Sequence, residues 1–170
     1  MSLNKNANDD PRAAVFDMMQ SARAGMLRVR SSPAAFQPMT HFADEETGVI
    51  WFISATDTDF VRSLSAGHEA DYVLISRDHD LHASLRGVLV QVHDKAKLDA
   101  LWSPLIGAWF NEGRDDPRVD LLRFDPAVAE IWQSTTSTLK FGFEVIRANL
   151  QSGHEPDVGS HAVVRFETAA

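Results

Sequence analysis

The sequence predicts a mainly β protein, built as a small antiparallel barrel or curled sheet with flanking helices. Most apolar runs are short, alternate with polar residues, and are rich in β-branched or aromatic side chains, as strands are. Short polar turns join these runs in pairs, as in hairpins. Helical patterns lie between the pairs and do not follow every strand, which argues against an alternating βαβ sheet.

The length and composition indicate one globular domain. A chain of 170 residues with 44% hydrophobic content can bury one core. We expect residues 1–9 to be a disordered tail, 10–150 to form the domain, and 151–170 to be a C-terminal extension, to which we assign no structure. No internal repeat interrupts this organisation.

Several function classes are disfavoured before any motif is considered. The formal net charge of −8 argues against nucleic-acid binding. No apolar run approaches the roughly 18 residues of a membrane span, and the N-terminus lacks the apolar stretch of a signal peptide. We therefore expect a cytoplasmic protein without a membrane partner. The absence of cysteine excludes disulfides, thiolate metal sites and a cysteine nucleophile.

The first element is expected to be a helix. Asp10 is a typical N-cap residue, and Pro11 follows at the position where proline begins a helix. Apolar residues recur with helical spacing from Val15 onwards. These features predict a helix over 11–24 that ends near Gly25.

The next elements are expected to form two hairpins joined by a short helix. The polar turn before Gly48 connects two strand-like runs. Proline is typical of edges and bulges, so Pro38 should break the first of these runs. Gly87 is expected at a bulge or at a close approach of the backbone, because glycine inside a strand commonly marks one of the two. The predicted elements are strands at 26–30, 34–42, 49–54, 70–76 and 81–93, and a helix at 58–66.

The C-terminal part is expected to contain helices on either side of one more hairpin. Asp94 should cap a helix that Pro104 interrupts, and Pro126 should separate two strands. The helix after Asp94 should bury one face, carried by Leu98, Leu101, Trp102 and Leu105. The remaining predicted elements are strands at 119–125 and 128–133 and a helix at 140–150.

The familiar enzyme motifs are absent. The chain has no G-x-S-x-G, no P-loop and no G-x-G-x-x-G sequence. A cluster of Asp78, His79, Asp80 and His82 could hold a divalent ion, but such residues are common in turns, and we expect no metal. Trp109 precedes a polar loop and is the least core-like of the four tryptophans, which favours a site or interface wall.

A set of short segments carries a family resemblance through its order and spacing. The segments are Gln37-Pro38-Met39-Thr40, Trp51-Phe52-Ile53-Ser54, Leu81–Val92 with Gly87, Lys97–Pro104, Ala108-Trp109-Phe110, Asp115-Asp116-Pro117, Leu121–Phe124 and Ala129–Trp132. Together they resemble the FMN-binding split-barrel superfamily that includes pyridoxamine 5′-phosphate oxidase, and most closely its general stress protein 26 branch. The resemblance spans residues 12–150. It implies a six-stranded antiparallel Greek-key split barrel with flanking helices, and a homodimer with two flavin sites at the subunit interface.

The same resemblance implies a set of cofactor-binding residues. The flavin ring would lie along the first segment, and the strand after the hairpin would approach the ribityl chain and the phosphate. Thr58 would meet the phosphate at the start of the next helix, and the partner subunit would present His82. The implied residues are Gln37, Pro38, Met39, Thr40, Phe52, Ile53, Ser54, Thr58, His82 and Trp109.

The chain departs from the family in the residues that hold phosphate. Gln37 and Phe60 stand where the family commonly has Arg and Lys, and Phe42 and Asp59 replace further basic residues of the oxidases. Residues 41–60 contain five acidic residues and no Lys or Arg, although phosphate is held best by cations. The candidates for compensation are Arg62, Arg77 and Arg86.

The leading hypothesis is an FMN-binding protein of the general stress type. If it is an enzyme, it is expected to be a flavin-dependent oxidoreductase acting on a small molecule, since the flavin carries the chemistry in such proteins. It is not expected to be a true pyridoxamine 5′-phosphate oxidase, because the basic groups for that substrate's phosphate are missing. The alternatives are a non-catalytic or cofactor-altered split-barrel module of the stress response, and a related protein that uses a deazaflavin or a haem.

Overall fold

The computed structural model describes residues 10–62, 64, 67–134 and 159–166. None of the described helices is long and apolar enough to cross a membrane. The predicted tail at 1–9 and the predicted helix at 140–150 lie outside the described residues. The helices are α1 (Pro11–Ser21), α2 (Asp59–Arg62), α3 (Lys95–Leu101) and α4 (Pro104–Gly107), with a 3-10 turn at Gly113–Asp115.

The strands form one antiparallel sheet. They are β1 (Gly25–Val29), β2 (Gln37–Met39), β3 (His41–Asp44), β4 (Val49–Ala55), β5 (His68–Ile75), β6 (Leu81–Val92), β7 (Val119–Ser134) and β8 (Gly159–Arg165). Their order across the sheet is β2-β1-β5-β6-β7-β4-β3, and β8 adds to β7 beside β4.

The two ends of this sheet are joined by the chain itself. Strands β2 and β3 stand at opposite ends of the order, yet only Thr40 separates them in sequence. The segment 37–44 thus pairs with β1 through its first half and with β4 through its second half. With this segment taken as one bent strand, the sheet is a six-stranded barrel to which β8 is added. The order β5-β1-β2/β3-β4 is that of a Greek key, so the predicted fold is confirmed.

The barrel interior is filled by alternate residues of every strand. The largest side chains that are fully buried there include Phe52, Tyr72 and Phe124, and helix α1 adds Val15 and Phe16 at one side. Burying apolar area of this kind is the main force that stabilises such a fold. The strand alternation also fixes which residues face outward, and this decides where a ligand can bind.

The helix at the N-terminus is confirmed, but it ends earlier than predicted. The side chain of Asp10 accepts a hydrogen bond from the amide of Ala13 at 2.9 Å, so it is the N-cap. Gly25 does not end the helix; it begins β1. A Cβ at this position would lie 2.6 Å from Leu74 Cδ2. The glycine is therefore explained by close contact with β5, not by a helix C-cap.

The predicted break at Pro126 is wrong. Strand β7 runs without interruption from Val119 to Ser134. Pro126 lies opposite Gly87, where the register between β6 and β7 shifts, so the predicted bulge at Gly87 is confirmed. A proline lacks the N–H that a regular ladder needs, and a bulge is a position where that loss is tolerated.

Three further expectations are corrected. Helix α2 has four residues and does not extend over the predicted range 58–66. The strand predicted over 34–42 divides at Thr40 and not at Pro38. Pro38 pairs with Met26 of β1 and lies on β2, the strand at one end of the sheet order. The face predicted after Asp94 is not buried: Leu105 is 78% exposed, and no residue of α3 is buried.

Candidate functional site

The predicted ring-binding strand presents an exposed surface where the two halves of the barrel meet. Pro38 and Thr40 are exposed, and their spacing of two residues places them on the same outer side. Because His41 pairs with Phe52, Ile53 is the β4 residue that comes next to Thr40 in register. Three of the predicted cofactor-binding residues, Pro38, Thr40 and Ile53, are thus brought together on the outside of the barrel.

Other predicted residues point the opposite way. Met39 is 9% exposed and Phe52 is fully buried, with its ring edge-to-face against Tyr72 at 5.0 Å between centroids. Neither side chain is available to a ligand, so any contact they make is through the backbone. Gln37 and Ser54 are half-buried and belong to the inward set of their strands by alternation.

The barrel end beside Ser54 holds a buried carboxyl group. Asp120 on β7 pairs with Ser54 in register and is 4% exposed. Its Oδ1 accepts a hydrogen bond from Gln91 Nε2 at 3.0 Å, and its Oδ2 has no partner in the described part of the chain. Burial raises the pKa of Asp120, and the Gln91 hydrogen bond opposes this only in part.

The hydroxyl of Thr58, which is expected to meet the phosphate, already makes hydrogen bonds within the chain. The hydroxyl of Thr58 donates to the carbonyl of Ala55 at 2.9 Å and accepts from the amide of Val61 at 3.2 Å. Thr58 therefore already acts as a cap, and a helix of four residues has a small dipole. Phe60 is 1% exposed and belongs to the core, which explains why no lysine stands there.

One cation that the sequence analysis missed lies next to this segment. The carbonyl of Arg118 accepts a hydrogen bond from the amide of Thr56 at 2.8 Å, and its Nη1 lies 3.7 Å from Asp57 Oδ2. Its Nη2 also lies 2.9 Å from Asp116 Oδ2. The guanidinium lowers the pKa of Asp116 to about 2. Arg118 was missed because it is far away in sequence and only the strand pairing of β7 with β4 brings it here.

The five acidic residues of 41–60 do not form one negative patch. Asp44, Glu45 and Glu46 lie at the β3–β4 turn, away from α2. Only Asp57 and Asp59 lie beside the predicted phosphate position, and each has an arginine partner, since Arg62 contacts Asp59 at 3.5 Å.

The other two candidates for compensation lie elsewhere. Arg77 is exposed in the β5–β6 turn, and Arg86 contacts Glu130 at 3.1 Å on the middle of the sheet. Neither is on β4 or α2, where the phosphate is expected. Two arginines of the described residues lie close in structure to Thr58: Arg62, on α2 and in contact with Asp59, and Arg118, which two carboxylates already bind.

His82 lies on a different part of the barrel from Pro38. It pairs with Ile75 on one side and with Trp132 on the other. Strand β6 is three strands from β2, a path of about 14 Å measured across the curved sheet. One chain does not bring them together, which is compatible with the expectation that a second subunit supplies His82.

Four large apolar side chains are exposed on the outward side of β1, β5, β7 and β8. Met26, Ile75, Trp132 and Val163 are each 40–52% exposed. The Trp132 ring stacks on His161 with 5.2 Å between centroids. We call these residues and His82 the outer apolar face. Because Met26 pairs with Pro38, this face is continuous with the predicted flavin strand.

Trp109 is the most exposed large apolar side chain in the part of the protein that the structure describes, at 80%. The adjacent Phe110 packs against Trp102 and lies 6.0 Å from the guanidinium carbon of Arg118. Phe110, not Trp109, thus adjoins Arg118, and the role of Trp109 as a wall residue stays a prediction. Among the residues that the structure describes, no group of three or more His, Asp or Glu is arranged to hold a metal ion.

The comparisons with known proteins point in one direction. Residues 10–157 match the family described as "Pyridoxamine 5′-phosphate oxidase like". No curated protein matches the sequence.

Solved structures of general stress proteins are similar to this chain. A general stress protein 26 from Jannaschia sp. CCS1 is 33% identical, with 93% of this chain and 99% of that chain covered and a TM-score of 0.76. A general stress family protein from Xanthomonas campestris pv. campestris is 31% identical, with 78% and 92% covered and a TM-score of 0.70. The general stress FMN/FAD binding protein from Xanthomonas citri is 33% identical, with 72% and 89% covered and a TM-score of 0.66.

Proposed function

Because the chain belongs to the pyridoxamine 5′-phosphate oxidase-like family, we propose that it is a flavin-nucleotide-binding protein of the general stress type. The observation that carries this proposal is the outward surface where the two halves of the barrel meet, with Pro38 and Thr40 exposed and Ile53 partly exposed beside them. The solved relative that is described as an FMN/FAD binding protein supports the same ligand class.

The residues fit the ring of a flavin better than its phosphate. Thr40 lies between the β1–β2 and β3–β4 pairings and is part of neither, so a planar ligand can approach its backbone. At the proposed phosphate position, Arg118 already forms ion pairs with Asp57 and Asp116. A phosphate monoester carries about −1.5 to −2 charges, so binding it at Thr58 requires Arg118 to exchange Asp57 for the phosphate.

A bound flavin would supply electron or hydride exchange, which no side chain of this cysteine-free chain supplies. The residues of the chain bind and orient it. FMN as the form of the flavin, and a small-molecule substrate for it, are parts of this proposal.

We further propose that the protein is a homodimer paired through the outer apolar face. Exposed apolar patches of this kind commonly mark interaction sites, and a two-fold partner presents the same patch. Light scattering should give a dimer for the wild type and a monomer for Trp132→Asp. The control Leu105→Asp changes an exposed leucine outside this face and should leave the dimer intact. A wild type that is monomeric at micromolar concentration would contradict the pairing.

The position of the flavin is tested by placing a carboxylate on the exposed surface. Thr40→Glu should weaken FMN binding at least tenfold, since it sets a negative charge where the ring is proposed to lie. Thr47→Glu makes the same change at an exposed threonine of the β3–β4 turn and should leave FMN affinity unchanged. An equal loss of FMN affinity in the two variants would contradict the proposed position of the flavin.

A second candidate function is favoured by the paired state of Arg118. If the phosphate is not bound at all, the chain is a cofactor-altered member of the family, and it should bind riboflavin and FMN equally. Gln37→Arg restores the family's common arginine. If Gln37→Arg raises the affinity for FMN at least tenfold and leaves that for riboflavin unchanged, the chain has a weakened FMN site. If FMN and riboflavin bind with equal affinity to both the wild type and Gln37→Arg, the chain is the altered module.

A further inference from the structure

A cavity of about 390 Å³ lies between the β3–β4 hairpin, the end of α1 and helix α3. We call it the aromatic–acid cavity, after the side chains that line it. Those that carry the argument are Phe42, Asp44, Glu45, Glu46, Trp51 and Lys97. No part of the proposed flavin site uses these six residues.

The cavity already contains an ammonium group. The Nζ of Lys97 lies 5.0 Å from the ring centroid of Trp51 and 3.2 Å from Asp44 Oδ2. An aromatic face and a carboxylate are the two groups that recognise an organic ammonium ion, the first through the ring quadrupole and the second through a charge-assisted hydrogen bond.

The cavity remains negative with Lys97 in place. Three carboxylates line it against one ammonium, and the described part of the chain gives the carboxylates of Glu45 and Glu46 no ion pair. Arg12 adds a second positive charge beside the cavity, because it donates to the uncharged backbone carbonyl of Glu45, whereas Arg123, which pairs with Trp51 in register, is neutralised by Asp125. The three carboxylates still exceed these two cations by one charge, so an added cation is favoured electrostatically.

Lys97 is held on a loosely packed element. No residue of α3 is buried, and the Lys97 side chain is 27% exposed. The flexible stem of a lysine can rotate into water without disturbing the core. A competing ammonium ion can thus take the position between Trp51 and Asp44 while Lys97 moves outward.

We propose that the aromatic–acid cavity binds a small organic amine, whose ammonium group displaces Nζ of Lys97 between Trp51 and Asp44. Phe42 and Trp51 come two residues after Thr40 and two before Ile53 along their strands, a spacing of about 7 Å. The amine would therefore lie beside the proposed flavin surface. Binding of the amine does not require the flavin, so a negative result for one proposal does not contradict the other.

The test uses n-butylammonium chloride, which reproduces the end of a lysine side chain, in calorimetric titrations of the flavin-free protein. Lys97→Ala removes the internal competitor and should bind n-butylammonium at least tenfold more tightly than the wild type does. The matched control is Lys95→Ala, an exposed lysine of the same helix that does not line the cavity, and it should bind as the wild type does. Lys97→Ser serves as a second variant if Lys97→Ala folds poorly.

Two additions identify the recognising groups. Asp44→Asn in the Lys97→Ala background should weaken n-butylammonium binding at least tenfold, and Trp51→Leu should weaken it severalfold. The neutral n-butanol should not bind. The proposal is overturned if Lys97→Ala binds no more tightly than Lys95→Ala, if Asp44→Asn has no effect, or if n-butanol binds as well as n-butylammonium.

Discussion

The guanidinium of Arg118 lies 3.7 Å from the carboxylate of Asp57, and this contact joins the loop before β7 to the segment before α2. Asp116 holds the other side of the same guanidinium and, with its pKa lowered to about 2, stays ionised across the usual pH range. Arg118 is thus fixed in position beside Thr58, and Asp57 is the partner that an incoming phosphate would replace.

Asp57→Asn should strengthen FMN binding about tenfold, because it removes the carboxylate that competes with the phosphate for Arg118. Riboflavin, which has no phosphate, should bind unchanged. Fluorescence titration of both flavins measures the difference. The control is Asp59→Asn, which removes a carboxylate two residues away whose partner is Arg62. A gain of the same size in this control would indicate a general charge effect and no special role for Arg118.

Asp120→Asn should raise the free energy of unfolding at pH 7.5 by on the order of 1 kcal/mol, because the folded chain buries this carboxylate at a cost. The raised pKa of Asp120 determines in which direction the stability of the wild type changes with pH. The unfolded chain releases the proton near the ordinary pKa and the folded chain at higher pH, so the wild type loses stability as pH rises through that window. The gain should vanish near pH 4. Urea unfolding of both proteins at the two pH values checks it, with the exposed Asp115→Asn as the control; a gain that persists at pH 4 would contradict the explanation.

His41→Leu should lower the free energy of unfolding by about 2 kcal/mol at pH 7.5, since it breaks two buried hydrogen bonds. The ring nitrogens of His41 lie 2.6 Å from the Tyr72 hydroxyl and 2.7 Å from the Met19 carbonyl. These contacts connect the strand that closes the barrel to β5 and α1.

The cost of His41→Leu should shrink at pH 5.5. Burial lowers the pKa of His41, so below the ordinary histidine pKa the unfolded wild type takes up a proton that the folded chain does not. The wild type therefore loses stability on acidification, and the variant lacks this loss. Denaturant unfolding at both pH values measures the difference, and a cost that grows at pH 5.5 would show that His41 is charged in the folded state.

Gly87→Ala should destabilise the fold by about 2–3 kcal/mol through overpacking at the bulge. A Cβ at Gly87 would overlap the carbonyl oxygen of Asp125 and lie 2.7 Å from Pro126 Cα, both of which are backbone atoms that cannot move aside. Thermal unfolding measures the loss. Gly107→Ala is the matched control, since its Cβ would meet only Trp102 atoms at 3.6 Å or more. Equal melting temperatures for the two variants would contradict the role of the bulge.

The alternation of apolar residues was sufficient to predict the fold class and most strands, because a barrel strand buries every second residue. It could not predict that β7 continues through Pro126, since this depends on the register shift opposite Gly87, where Ala127 is the extra residue of β7. It also could not predict β8, because Ala162, Val163 and Val164 form only a short apolar stretch whose partner, β7, lies far earlier in the chain.

The candidate site was predicted in part. Pro38 and Thr40 of the implied segment are exposed, but Gln37 is half-buried, and Met39 and Phe52 face the core. The sequence could not indicate Arg118, because only the pairing of β7 with β4 brings it to Asp57. The domain limits, the cytoplasmic location and the absence of a nucleic-acid partner stay predictions.

The most direct test of the account is a spectral titration of the flavin-free wild type with FMN. The account predicts saturable binding of a single FMN for each chain, with a shift of the flavin absorption bands and a Kd on the order of 10 μM or tighter. Thr40→Glu should require at least tenfold more FMN for the same shift. A wild type whose titration shows no saturable change up to about 1 mM FMN would contradict the flavin proposal.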